Sequence, residues 1–248
     1  MKRIAAVGDL HCPRTSPEAL KPFLSEVASQ ADVLLLCGDL TDYGNPEEAQ
    51  ALAQCLSEVR TIPIIAVLGN HDYECGQVED IERILCKQGV HILDGTSVEI
   101  DEVGFVGVKG FAGGFADRML QPWGEPILKQ FVREAVEEAL KLESALAKMS
   151  SPSRIVLLHY APIRATVEGE PPEIIPFLGS SHLEEPLNRH GVTAVFHGHA
   201  HHGTPEGRTR DGVPVYNVAM PLLRQRFPDR RPVRFLNVPT TSDTAVGT

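Results

Sequence analysis

A chain of 248 residues with 42% hydrophobic side chains can bury a substantial core and fits one α/β domain. Its formal net charge of -10 at pH 7 excludes a global basic field for nucleic acid or anionic lipid, although bound divalent cations would still admit an anionic substrate. The N-terminal apolar stretch stops at Asp9, too short for a signal segment, and no later run is long enough to span a bilayer, so a soluble cytoplasmic protein is expected.

The first half alternates short apolar runs with amphipathic ones. Ile4–Val7 reads as a strand ending in Gly8-Asp9. A helix is predicted over Pro17–Ser29, with Ser16 as N-cap and proline in the first turn. Val33–Cys37 is a continuous apolar run ending in Gly38-Asp39. A second helix is predicted over Pro46–Val59, capped by Asn45, with Glu47 and Glu48 near its positive end. Ile64–Leu68 is a third run, ending in Gly69-Asn70-His71-Asp72. Strands that alternate with helices and are unbroken in apolar character imply a sheet with right-handed crossovers, buried on both faces.

Beyond this the pattern changes. Ser97–Ile100 and Gly104–Val108 flank Asp101-Glu102-Val103 as a hairpin. A long helix is predicted at Pro126–Met149, a strand at Ile155–Leu158 ending at His159, and a short helix at Leu183–Arg189. A strand at Ala194–Phe196 ends in HGHAHH, and runs at Val213–Val218 and Val233–Leu236 complete the series. No linker or repeat interrupts the chain, so one domain is expected over 1–239, with a disordered polar tail at 240–248. The five cysteines, Cys12, Cys37, Cys55, Cys75 and Cys86, are odd in number and form no CxxC pair; free thiols in a reducing compartment are expected.

The chemistry-bearing residues fall where the apolar runs end. Asp9 with His11, Asp39, Asn70 with His71, His159 and the run His197–His202 each follow a strand. In open α/β sheets the crevice at the strand C-termini is where ligands bind. Taken singly, Gly-Asp is a common turn and a lone histidine is more often a satisfied core residue. Burying all these groups without a partner would cost several kcal/mol, so a shared metal is the simplest explanation. The oxygen and imidazole donors suit Mn, Fe or Zn.

The ordered set D-x-H, GD, GNHD, a lone His after a strand and GHxH resembles the signature of calcineurin-like metallophosphoesterases, spread over roughly Met1–His202. The resemblance implies a four-layer αββα sandwich with two central mixed β-sheets. It implies that Asp9, His11, Asp39 and His201 hold one metal, that Asp39, Asn70, His159 and His199 hold the other, and that Asp39 bridges the two. The ions would be divalent or mixed-valence: Mn2+, Fe2+/Fe3+ or Zn2+. The register within HGHAHH also comes from the resemblance, since strand alternation alone admits His197. In such a dinuclear centre a bridging hydroxide attacks phosphorus in line with the leaving oxygen. By the same resemblance His71 is the general acid, and Asp42 stands where relatives keep an acid that orients it; Asp72 is a second possible orienter.

One departure narrows the substrate. Ser/Thr protein phosphatases of this superfamily place an arginine after the orienting acid, where this chain has Tyr43. A tyrosine offers one hydroxyl instead of a bidentate fork. The sequence therefore looks less like a protein phosphatase and more like the broad prokaryotic-type branch; within the family a small or nucleotide-like phosphodiester is favoured, with a phosphomonoesterase or protein phosphatase as the alternative. A nuclease is disfavoured because no long basic stripe is present. The rival class is a non-catalytic scaffold, a use that a retromer subunit makes of this fold; the presence of His71 and every ligand position argues against it. Substrate selection is expected in the loops 109–123, containing GFAGGF and Arg118, and 162–181, unless these are purely structural.

Overall fold

The computed structural model describes residues 1–59 and 61–240. In its first half β1 (Lys2–Val7), α1 (Pro17–Ala28), β2 (Val33–Cys37), α2 (Pro46–Leu56), β3 (Ile64–Val67), α3 (Val78–Lys87) and β4 (Val90–Ile92) follow in turn. The second half contains β5 (Thr96–Ile100), β6 (Val103–Gly107), α4 (Pro126–Ala147), β7 (Ser153–Leu157), α5 (Glu184–Arg189), β8 (Ala194–His197), β9 (Glu206–Arg208), β10 (Pro214–Asn217), α6 (Met220–Arg226) and β11 (Arg234–Val238).

These strands form two mixed sheets. The first has the order β11-β1-β2-β3-β4, parallel throughout except for β11. The second has the order β5-β6-β7-β8-β10-β9, with a parallel centre and antiparallel edges. Side chains alternate across a strand, so a strand buried on both faces feeds two cores. In β2, Leu34 and Leu36 pack against the helix layer of α1–α3, whereas Val33, Leu35 and Cys37 pack into the space between the sheets. In β7, Ile155 and Leu157 enter that same central core, and Val156 faces the third core, beneath α4 and α5. Three apolar layers thus separate four structural ones, the αββα sandwich.

The structure adds elements to those expected. The segment VEDIERILCK forms α3, burying Ile81 and Leu85, and β4 follows it. β9 and α6 are likewise additional. The hairpin is tighter than expected: Ile100 pairs with Val103, and the two-residue turn of Asp101 and Glu102 takes positive φ values of 47° and 69°, matching a type I′ connection. No disulfide joins any of the five cysteines among the described residues, and Cys12, Cys37 and Cys55 are buried. No helix among the described residues is long and apolar enough to cross a membrane. The expected tail, from residue 241 onward, lies outside the described residues.

Candidate metal centre

The two sheets bring their strand C-termini to one edge, and the loops there bond to one another. Asp9 N donates to Gly38 O at 2.9 Å and His11 N to Asp39 O at 3.0 Å, joining the loops after β1 and β2. Gly8 N donates to Val218 O and Gly198 N to His159 O, tying the second sheet to the same edge. Glycine is required where these loops touch: a Cβ on Gly38, which has φ of 81°, would enter the His159 ring. A Cβ on Gly198 would strike the Asp9 carboxylate.

Asp9, His11, Asp39 and His199 all adopt left-handed φ values, of 56°, 45°, 48° and 69°. Non-glycine residues enter that region at a cost, and such outliers cluster at functional sites.

Ligand-type atoms converge in three overlapping groups: Asp9, His11 and His201; His11, Asp39 and His71; Asp39, His159 and His199. His201 Nε2 lies 2.9 Å from Asp9 Oδ1, and His11 Nε2 lies 3.9 Å from Asp39 Oδ2. His159 Nε2 sits 2.9 Å from Asn70 Oδ1 and 3.4 Å from Asp39 Oδ1. Asp39 stands between the two halves, and its Oδ1 also accepts the His71 amide at 2.9 Å. All seven residues expected to be ligands are therefore brought together. His197 is not: its ring is fully buried and spans Gly198 O and the Thr166 hydroxyl, both at 2.8 Å.

The donor chemistry fits cations. His159 Nδ1 lies 3.1 Å from the carbonyl oxygen of Cys37, which can only accept, so the ring proton resides there. The unprotonated Nε2 then faces two more acceptors, Asn70 Oδ1 and Asp39 Oδ1. The His71 amide serves Asp39 Oδ1, but no donor stands between His159 Nε2 and the two oxygens it faces. His11 repeats the theme, with a buried Nε2 that finds no hydrogen-bond partner. Burial lowers His11 to about 4, His199 to about 3 and His159 well below the ordinary imidazole value, holding these rings in the neutral form that binds metal. For His201 burial pulls down, but the hydrogen bond and charge of Asp9 outweigh it and the value rises. Burial, then the charges of Asp9 and Asp72, push the Asp39 carboxyl well up.

The residues around His71 act differently from the expectation. His71 Nδ1 is held at 2.7 Å by the backbone carbonyl of Asp42, not by its carboxylate. That carboxylate instead lies 3.3 Å from His11 Nδ1, out of hydrogen-bond alignment, and pairs with Arg14 at 2.9 Å. Asp72 does not reach His71 either. Its buried carboxylate accepts Leu40 N, Thr41 N, the Thr41 hydroxyl and Gly69 N, stapling the loop after β2 to the loop after β3. Glu48 completes the scaffold by collecting the amides of Asp42, Tyr43 and Asn45.

The two loops expected to select substrate pair with each other through the bridge Gly114–Ser180 and the bond from Gly113 N to Pro176 O. Phe177 carries its carbonyl to His199 Nε2 at 3.2 Å and leaves its ring 55% exposed beside the centre. The Arg118 side chain is solvent-facing, with its Nε 3.9 Å from Asp117 Oδ2. Arg14 was missed in the sequence, where CPRTSP gives no sign of a partner 28 residues away.

The calcineurin-like phosphoesterase family profile matches residues 2–203. Among solved structures, a phosphopantetheinyl hydrolase of Mycobacterium tuberculosis is similar at 15% identity and a TM-score of 0.64, with 96% of each chain covered. A Thermus thermophilus protein is similar at 18% identity and a TM-score of 0.55, over 96% of this chain and 99% of that one. Both likenesses are in fold. No curated protein matches the chain.

Proposed function

The chain belongs to the calcineurin-like phosphoesterase family and is a metal-dependent phosphoric ester hydrolase, and on that premise we propose that it works through a dinuclear centre on a small phosphate ester. Asp9, His11, Asp39 and His201 would hold one ion, and Asp39, Asn70, His159 and His199 the other. The observation that carries this reading is the convergence of acceptors on His159 Nε2, repeated at His11 Nε2. Bound there, two ions supply charge neutralisation and an activated water.

The chain's own groups do the rest. His71, with its Nδ1–H held by the Asp42 carbonyl, would in its doubly protonated form present Nε2–H to the departing oxygen and be left as the neutral ring. The Asp72 staple keeps His71 and Asn70 in register with Asp39. The missing arginine at Tyr43 speaks against a phosphoprotein. Between a small or nucleotide-like diester and a monoester, the choice rests on what else grips the phosphoryl group, and Arg14 is the observation that favours the monoester.

The test is a pair of chromogenic esters differing in leaving-group pKa, with Mn2+ present and absent. Metal-dependent hydrolysis is expected. His71→Ala should keep its metals and lose about 10²–10⁴-fold in kcat on the poor leaving group, and much less on the good one. An equal loss on both rejects the acid role; loss of metal makes His71 a ligand.

A further inference from the structure

Resting on the phosphoesterase reading above, we infer that Arg14 grips the substrate's phosphoryl group and biases this site toward phosphomonoesters. Arg14 lies in the loop between β1 and α1, three residues beyond His11. Its Nη2 contacts Asp42 Oδ1 at 2.9 Å and its Nε donates to Asp42 Oδ2 at 3.2 Å. Only the Nε–H makes an aligned hydrogen bond; the Nη2–Oδ1 contact is an ion pair that leaves Asp42 Oδ1 without one, so the four Nη N–H donors bond no protein acceptor among the described residues. The Arg14 side chain is 57% exposed while Asp42 is 7% exposed, so the carboxylate forms the floor and the guanidinium faces outward.

The position is at the centre itself. Asp42 Oδ1 lies 3.3 Å from His11 Nδ1, and the His11 ring stands edge-on to His71 and His201, at centroid distances of 4.7 and 5.5 Å. The other nearby cation, Lys109, is turned away: its Nζ donates to Gly110 O at 2.9 Å and lies over the rings of Phe111, Tyr160 and Tyr73 at 5.0, 5.3 and 5.5 Å. Arg14 thus supplies, from a different loop, the fork that Tyr43 lacks.

The substrate consequence follows from charge. A monoester phosphate carries about -1.5 to -2 charges near neutrality and three unesterified oxygens. A diester carries one charge and two such oxygens. An additional fork donor beside the ligand set is worth more to the monoester. The competing account is that Arg14 only neutralises Asp42 while Asp42 steadies His11. In that case every substrate would suffer alike, and any cation at the position would serve.

The experiment compares wild type, Arg14→Ala and Arg14→Lys, each at matched Mn2+ content and with folding checked by circular dichroism. Steady-state kinetics on a chromogenic monoester and diester sharing one leaving group are paired with calorimetric titration of inorganic phosphate. Arg14→Ala should raise KM for the monoester and weaken phosphate binding by about 10- to 100-fold, with at least a tenfold smaller effect on the diester. Arg14→Lys should recover only part of the loss, because lysine is a point charge without the fork. Equal losses on both esters, full rescue by lysine, or unchanged phosphate affinity in Arg14→Ala would overturn the inference. A wild type that hydrolyses neither ester defeats the phosphoesterase reading instead, and the phosphate titration then still decides Arg14: no phosphate binding, or binding indifferent to Arg14→Ala, overturns it.

Discussion

Asp72→Asn isolates what the staple between the two ligand loops is worth. Asp72 is fully buried, and its carboxylate takes four donors. Thr41 N at 2.8 Å and the Thr41 hydroxyl at 2.6 Å bond Oδ1; Gly69 N at 2.8 Å and Leu40 N at 3.2 Å bond Oδ2. Asparagine offers one acceptor oxygen and one NH2; with the NH2 turned toward Thr41, whose hydroxyl can rotate to accept, the Thr41 amide is still left facing a donor, and the remaining bonds lose the charge of their acceptor. Losing the amide's bond to a charged acceptor is worth about 1.5–3 kcal/mol, and the weakening of the other three brings the gross cost to about 3–6 kcal/mol. Part of this is offset because the substitution removes a negative charge that repels Asp39 and is itself disfavoured by burial. The net expectation is a destabilisation of about 2–4 kcal/mol, or about 4–16 °C in Tm for a domain of this size. Because the staple sets the separation of Asp39 from Asn70, metal affinity should also fall by about 10–100-fold. Urea unfolding of metal-free protein measures the first effect, and metal titration of the folded variant measures the second. A stability loss below about 1 kcal/mol with unchanged metal affinity would refute the staple.

Two further outcomes follow. Mn2+ at about 100 times its Kd should stabilise wild type by about 2.7 kcal/mol per site, a rise of about 5–10 °C; Asp39→Asn should lose more than half of that rise and load less of both ions, and unchanged loading of both would contradict the bridging role. Thiol titration of native protein should register Cys75 and Cys86 quickly, because Cys12, Cys37 and Cys55 are buried, and denaturation without reductant should bring the count to five; three or fewer after denaturation would show a disulfide.

The parts of the fold readable in the sequence are those whose physics is local. Val33–Cys37 reads as a strand because both faces are buried, so every position is apolar, and the structure returns the same bounds. The helices at Pro17 and Pro46 announce themselves through a proline in the first turn. The α3 segment carried a signal that went unread: Val78, Ile81, Ile84 and Leu85 recur at helical spacing. Arg14 and the Asp72 staple carried none, because each depends on a partner 28 to 32 residues away. The roles of Asp42 show the same limit: motif position led to its carboxylate, whereas the contact on His71 is made by its carbonyl, which any residue there would supply.

The backbone supplies the last argument between enzyme and scaffold. Four residues at candidate ligand positions, Asp9, His11, Asp39 and His199, hold left-handed φ values that cost about 1–2 kcal/mol each for a side chain with a Cβ. The adjoining residues Gly8, Gly38 and Gly198 absorb the close approaches of the loops but not this strain. Inter-loop bonds such as Asp9 N to Gly38 O and His11 N to Asp39 O offset it, yet they could form as readily around glycines at lower cost. What glycine cannot provide is the carboxylates and imidazoles, and these side chains meet acceptor against acceptor at His159 Nε2. A protein using this fold only as a scaffold would gain stability by relaxing both features. Their joint retention at one edge of two sheets supports bound cations as the element that offsets the cost, and the metal-dependent rise in Tm measures that offset directly. A chain whose Tm ignores Mn2+ would leave the strain uncompensated and remove the ground for a dinuclear centre.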